Sequence, residues 1–293
     1  MSSPSHIPRP GPNGASTPAV HKVTVPGLRA RKLAGAKIAA LTAYDAISAS
    51  IVDAAGVDVV LVGDSLANTT LGYENTLPVT LDEMIVAVRS VRRALRRALL
   101  VADMPFGSYQ ISEEEALRNA VRFVKSGAEA VKLEGGAQRA PLIRALVANG
   151  IPVMAHIGLT PQSVHTMGGY KVQGRIDEEA ERLHNDARTL EKAGAFSTVL
   201  EGIPAPLAAR ITAEMETPTI GIGAGESCDG QILVFADLLG LVEGRTPKFV
   251  RRYASLRETA VEAVSQYAED VRRGVFPAAK ESYGVPRAEA TGR

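Results

Sequence analysis

The chain has 293 residues, 45% hydrophobic and 22% charged, with a formal net charge of +1 and a pI near 7.9. That balance is ordinary for a globular protein and offers no overall attraction for nucleic acid or an anionic membrane. A single cysteine, Cys228, excludes an intramolecular disulfide framework and a thiolate metal cage, a usage that fits a cytoplasmic protein.

The opening "MSSPSHIPRPGPNGASTP" lacks the apolar centre of a secretory signal, and residues 1–23 read as a disordered Pro/Ser/Gly-rich tail. Residues 24–276 read as one folded unit and 277–293 as a flexible C-terminal tail. No apolar run approaches the roughly 18 residues needed to span a bilayer.

Between the tails, short β-like runs alternate with longer helical patterns. The expected strands are "KIAALTAY", "VDVVLVGD", "LLVADMP", "EAVKLEG", "IPVMAHIG", "FSTVLEG", "PTIGIGAG" and a weaker last one, "VFADLLGL". The expected helices are "AISASIVDAAG", "LDEMIVAVRSVRRALRR", "SEEEALRNAVRFVKSG", "APLIRALVANG", "DEEAERLHNDARTLEKAG" and "APLAARITAEME". Ser112 and Glu115 have capping-box spacing, and Gly127, Gly150 and Gly194 stand where helices should stop. Arg89, Arg92, Arg93, Arg96 and Arg97 recur at helical spacing, which predicts a solvated face rather than a phosphate site.

Nearly continuous apolar strands are buried on both faces, as in parallel sheets. Eight of them, spread over the length typical of the fold, predict a (β/α)8 TIM barrel. An open doubly wound sheet is the alternative, but "LTAYDAISAS" after the first strand has no phosphate-binding glycine pattern.

In such a barrel chemistry sits where the strands end. Here the strand ends carry Asp64 and Ser65, Asp103, Lys132 and Glu134, His156, and Glu201 in turn. One Asp at a strand end is more often a helix cap, and one His a satisfied core residue. Recurrence at one end of consecutive strands is hard to obtain by accident. Carboxylates crowded into a low-dielectric mouth raise one another's pKa unless a cation compensates. Oxygen donors with no Cys or His pair favour Mg²⁺. Asp64 and Asp103 are then the direct ligands, and Glu134 a third ligand or one acting through water. Such an ion suits a 2-oxo acid, with Lys132 and Ser65 on the substrate carboxylate and Glu201 as the base. The chemistry implied is metal-assisted proton abstraction with carbon–carbon bond formation or cleavage.

The ordered set "LTAYD", "VGDSLAN…LGYENTLPVTLDEM", "VADMPFGSY", "AVKLEGG", "HIGLTPQSVHTMGGYKVQGR", "VLEGIP" and "IGIGAGESCDGQILV" resembles the ketopantoate hydroxymethyltransferase family over about residues 41–241. The resemblance implies a barrel that binds one Mg²⁺ per subunit and transfers a hydroxymethyl group from methylenetetrahydrofolate to 3-methyl-2-oxobutanoate, on the route to pantothenate and coenzyme A. It implies a metal site at Asp64, Asp103 and Glu134, and oxo-acid contacts from Asp64, Ser65, Asp103 and Lys132. Glu201 becomes the proton acceptor and His156 a pocket residue. It also implies a homo-oligomer, commonly a decamer. "GGYKVQGR", with Tyr170, Lys171 and Arg175, and the loop after strand seven are expected beside the folate. The competing reading is a Mg²⁺-dependent oxo-acid lyase or carboligase of the phosphoenolpyruvate/pyruvate barrel group.

Overall fold

The computed structural model describes residues 21–244 and 246–284, so residues 1–20 of the expected N-terminal tail and 285–293 of the C-terminal one lie outside it. The apolar runs become strands β1 (Ile38–Thr42), β2 (Val59–Val62), β3 (Leu99–Asp103), β4 (Ala130–Glu134), β5 (Val153–Gly158), β6 (Ser197–Glu201), β7 (Thr219–Ile222) and β8 (Gly230–Leu233). They pair in parallel in chain order, and β8 closes back on β1. From β2 to β5 every strand residue is buried, as expected for strands with a core on each face.

Successive side chains point to opposite sides of a strand. One set, including Ile38, Ala40, Val59, Leu61, Leu99, Val101, Ala130, Met154, Val199, Ile220 and Ile232, fills the barrel interior. The alternate set, with Val60, Val62, Leu100, Val131 and Leu133, packs outward against the helices. Helices Ala46–Ala54, Leu81–Ala94, Glu113–Lys125, Ala140–Ala148, Asp177–Lys192 and Ala205–Glu214 follow β1 to β6. Several begin on side-chain caps. Asp45 accepts from the Ser48 N–H, and Thr80 and Glu83 form a reciprocal capping box. At Ser112 half of the expected box is present, its hydroxyl accepting from the Glu115 N–H at 3.1 Å. Gly127, Gly150 and Gly194 follow their helices with positive φ.

An additional helix, Val25–Leu33, precedes the first strand. Its Leu28 and the preceding Val23 join the interior cluster and plug the N-terminal end of the barrel. Chemistry is left to the opposite mouth.

Two features differ from the sequence expectations. The last strand is "GQIL", Gly230–Leu233, whereas the expected "VFADLLGL" contains a short helix, Phe235–Leu238. Apolar density misleads here. Phe235 and Leu238 pack on the core at helical spacing, while β8 owes its place to a residue with no side chain. A Cβ at Gly230 would collide with the Ile38 carbonyl and the Ile220 side chain. The second difference concerns the arginines. The Leu81–Ala94 helix stops before Arg96 and Arg97, and Arg97 pairs with Asp58 at 2.7 Å. Arg92 donates to the Leu95 carbonyl at 2.9 Å and contacts Glu129. These two are structural ties rather than members of a solvated face.

Candidate active site

The strand-end residues share the inward parity. Asp103 continues the row of Leu99 and Val101, Lys132 and Glu134 that of Ala130, His156 that of Met154, and Glu201 that of Val199. Strand register then makes neighbours of them: Asp103 lies beside Lys132 and Glu134 beside His156. The Lys132 ammonium donates to Asp103 Oδ2 at 2.6 Å. The His156 ring lies between two acids, with Nδ1 3.3 Å from Glu134 Oε1 and Nε2 3.2 Å from Glu201 Oε2. Both nitrogens are at ion-pair distance but off hydrogen-bond alignment. Glu201 is the most open of this group, its side chain 15% exposed. Gly158 lets β5 and β6 approach at this level, since its φ is +96° and a Cβ there would strike the Glu201 carbonyl.

Asp64 lies just beyond β2. Its N–H donates to Asp103 Oδ2 at 3.3 Å, and its own Oδ2 accepts from Gln162 Nε2 at 3.0 Å. The short helix that follows has no side-chain cap bond, so Asp64 is not serving as its cap. The Ser65 hydroxyl shares a 2.7 Å hydrogen bond with the Tyr44 hydroxyl. The structure thus gathers Asp64, Asp103, Lys132, Glu134, His156 and Glu201 into one linked cluster, with Ser65 at its edge. Among the described residues, no three His, Cys, Asp or Glu side chains alone form a group fit to hold an ion.

Sequence reasoning passed over Gln162, Tyr109 and Tyr44. Tyr109 accepts from the Glu134 N–H at 3.1 Å and donates to Gln162 Oε1 at 2.7 Å. All three lie in the motifs "LTAYD", "VADMPFGSY" and "HIGLTPQS", but an uncharged side chain in a loop gives no sign of what it will meet. Tyr170 is 55% exposed. Partial burial, then the charges of Asp64, Glu201 and Glu134, raise its pKa. The "GGYKVQGR" loop is tied to the end of β6 by the Gln173 N–H, which donates to the Gly202 carbonyl at 2.9 Å. Lys171 and Arg175 are exposed. The loop after β7 lines a groove on the barrel's flank with Lys37, Phe249 and Tyr253.

The electrostatics are those of a site short of positive charge. Burial, then the charges of Asp103 and Glu134, push Asp64 up to about 8. Burial also raises Asp103, although Lys132 opposes it. Burial would raise Glu134 as well, but His156, Lys132 and the Gln162 N–H hold it below the usual carboxylate range. Burial and Lys132 work against a charged His156, yet Glu134 and Glu201 outweigh them and bring its pKa to about 9. Lys132 resists burial too, because Asp103, Glu134 and Asp64 lift it above the usual lysine range. With all six ionised, acids exceed cations by two charges, the charge of one divalent ion.

A closed parallel barrel with buried acids, a lysine and an imidazole at the C-terminal mouth defines a (β/α)8-barrel enzyme. The sequence comparisons specify which kind. A family model described as ketopantoate hydroxymethyltransferase matches residues 22–279, and the chain belongs to that family. A 3-methyl-2-oxobutanoate hydroxymethyltransferase of Koribacter versatilis is 56% identical over 272 residues, 92% of either chain. One from Trichlorobacter lovleyi is 57% identical over 263 residues, 89% of this chain and 98% of that one. Among solved structures, a phosphonopyruvate hydrolase complexed with oxalate and Mg²⁺ superposes with a TM-score of 0.57 at 14% identity, covering 88% of this chain and 92% of that one. A 2,3-dimethylmalate lyase of the PEP mutase/isocitrate lyase superfamily gives 0.57 at 20% identity, covering 88% of each. At such identities the structural likeness speaks for the fold alone.

Proposed function

We infer that the chain transfers a hydroxymethyl group from methylenetetrahydrofolate to 3-methyl-2-oxobutanoate, giving 2-dehydropantoate. The observation that carries this reading is the set of acids linked from β2 to β6, placed in a chain more than half identical to two enzymes named for the reaction.

The residues fit a hard divalent cation. Asp103 Oδ1 is buried without a hydrogen-bond partner, a costly condition for a carboxylate oxygen unless a ligand meets it. Magnesium commonly takes one or two carboxylates and fills its remaining positions with water and substrate, so a closed cage of three side chains is not required. Asp64 and Asp103 would ligate it directly, with Glu134 acting through one of those waters. When bound, Mg²⁺ supplies Lewis-acid polarisation of the keto group.

Lys132 neutralises the carboxylate of the oxo acid, and the Ser65 hydroxyl, steadied by Tyr44, donates to it. Glu201 takes the proton from C3, and the His156 imidazolium 3.2 Å away holds the receiving carboxylate in place. The methylene carbon gives up its bonds to both folate nitrogens and forms one to C3 and one to a water oxygen, while the proton taken from C3 and one from that water end on the two nitrogens, leaving tetrahydrofolate. The Tyr170 loop borders the cleft from which the folate approaches.

A homo-oligomer is part of the same reading. Helix Leu256–Arg272 has no buried residue, and Val261, Val264, Tyr267 and Val271 are exposed along it. No helix separates β7 from β8, and the groove there is about 700 Å³. Apolar surface of that kind is covered by a second copy of the chain in an oligomer.

The test is mass-spectrometric. Purified protein with Mg²⁺ and 3-methyl-2-oxobutanoate forms 2-dehydropantoate with methylenetetrahydrofolate and forms none without it. Folate-independent cleavage or condensation of another oxo acid would establish a lyase instead.

A further inference from the structure

Gln162, in the turn after β5, touches two of the proposed cation-binding acids through different atoms. Its main-chain N–H donates to Glu134 Oε2 at 3.0 Å, and its side-chain Nε2 donates to Asp64 Oδ2 at 3.0 Å. The second Nε2 hydrogen goes to the Met104 carbonyl, also at 3.0 Å. On the other end of the amide, Oε1 accepts from the Tyr109 hydroxyl at 2.7 Å and from Gln110 Nε2 at 3.2 Å. Every polar capacity of this 5%-exposed side chain is used. The amide cannot be turned over, because that would set its oxygen against a carboxylate and a carbonyl.

We propose that Gln162 is a positioning residue that preorganises the cation site. It fixes one oxygen of Asp64 and one of Glu134, leaving Asp64 Oδ1 to a ligand while Glu134 Oε1 faces His156 Nδ1 at 3.3 Å. The pattern of bonds is consistent with that division. Among the described residues no hydrogen bond reaches Asp64 Oδ1, whereas the Asp64 Oδ2 beside it is held by Gln162. Tyr109 completes the device. It orients the Gln162 amide and accepts from the Glu134 main chain, so the ends of β2 and β4 and the loops after β3 and β5 are held to one arrangement. Partners that orient metal-binding side chains contribute strongly to affinity without touching the ion.

This inference rests on the cation site proposed above, and its test separates the two. Mn²⁺, which favours the same oxygen donors, is titrated into the full-length protein without substrate, and the dissociation constant is read by electron paramagnetic resonance. Wild type binds, and Asp103→Ala loses binding. Gln162→Met keeps the length of the side chain and the main-chain donor to Glu134 but removes the donor to Asp64. Its dissociation constant is expected to rise about tenfold or more while its thermal transition stays cooperative. Unchanged Mn²⁺ affinity in Gln162→Met, with binding lost in Asp103→Ala, overturns the positioning role alone. Equal binding by wild type and Asp103→Ala removes the cation site and this role with it. Should Gln162→Met fail to fold, Tyr109→Phe decides, since it frees the amide by deleting one hydroxyl. Weaker Mn²⁺ binding supports the proposal, and unaltered binding overturns it.

Discussion

Asp64 is the residue whose protonation reports most directly on the site. Burial and two neighbouring acids place its pKa at about 8, so near neutral pH it mostly carries a proton until a cation replaces it. Mg²⁺ binding at the proposed site would then release that proton, and its affinity would depend on pH. The sign follows from the acid form being unable to ligate. Affinity is expected to rise with pH through the Asp64 value of about 8 and to level off above it. Calorimetric titration in buffers of different ionisation enthalpy measures the protons released, with a value approaching one expected near pH 7. Magnesium binding that is flat from pH 6 to 9 would show that Asp64 is not a ligand.

At the level of elements, the barrel is secured far from its chemistry. Asp53, near the end of helix Ala46–Ala54, accepts from the N–H groups of Arg96, Arg97 and Ala98, the last at 2.8 Å. Partial burial acts to raise its pKa, but these three donors lower it further than burial raises it. A lowered folded-state value means that the stabilisation is present above the ordinary value of 3.8 and is lost as pH falls through the folded one. Asp53→Ala should therefore destabilise the fold by about 0.5–1.5 kcal/mol at pH 7, because it removes hydrogen bonds that are partly open to solvent. The gap to wild type in chemical denaturation should narrow in acid, and an equal gap at pH 7 and pH 2.5 would contradict this assignment.

Elements of this kind were unevenly legible in the sequence. Seven strands announce themselves as short continuous apolar runs and six helices by their helical hydrophobic period, several of these with a side-chain cap or a closing glycine. Strand β8 does not, since "GQIL" is short and depends on what Gly230 lacks. Helix Val25–Leu33 passes unnoticed because Leu28 is its one buried side chain. The same contrast holds in the site. Asp103, Lys132, Glu134, His156 and Glu201 are visible because charge at the end of an apolar strand conflicts with the pattern before it. Gln162 and Tyr109 break no local pattern, and their importance comes from contacts between distant loops.

Considered whole, the molecule divides its barrel mouth by chemistry. Strands β3 to β6 contribute charged residues, whereas Ile222 of β7 and Ile232 of β8 keep the opposite side apolar. A near-neutral chain thus holds a strongly local excess of negative charge. The exposed apolar residues of helix Leu256–Arg272 belong to the same scale. Sedimentation analysis is expected to give a mass several times the 30.9 kDa of one chain. Val264→Asp combined with Tyr267→Asp should shift it toward the monomer, and a wild type that sediments as a monomer would refute the oligomer.

Activation of the oxo acid by the proposed cation site and Glu201 is the central step, and proton exchange measures it without the folate. In deuterated water with enzyme and Mg²⁺, the C3 proton signal of 3-methyl-2-oxobutanoate should disappear from the NMR spectrum. It should persist when a chelator is added, or when Glu201→Gln replaces the wild type while oxo-acid binding is retained. Exchange that continued unimpaired in either case would contradict the account.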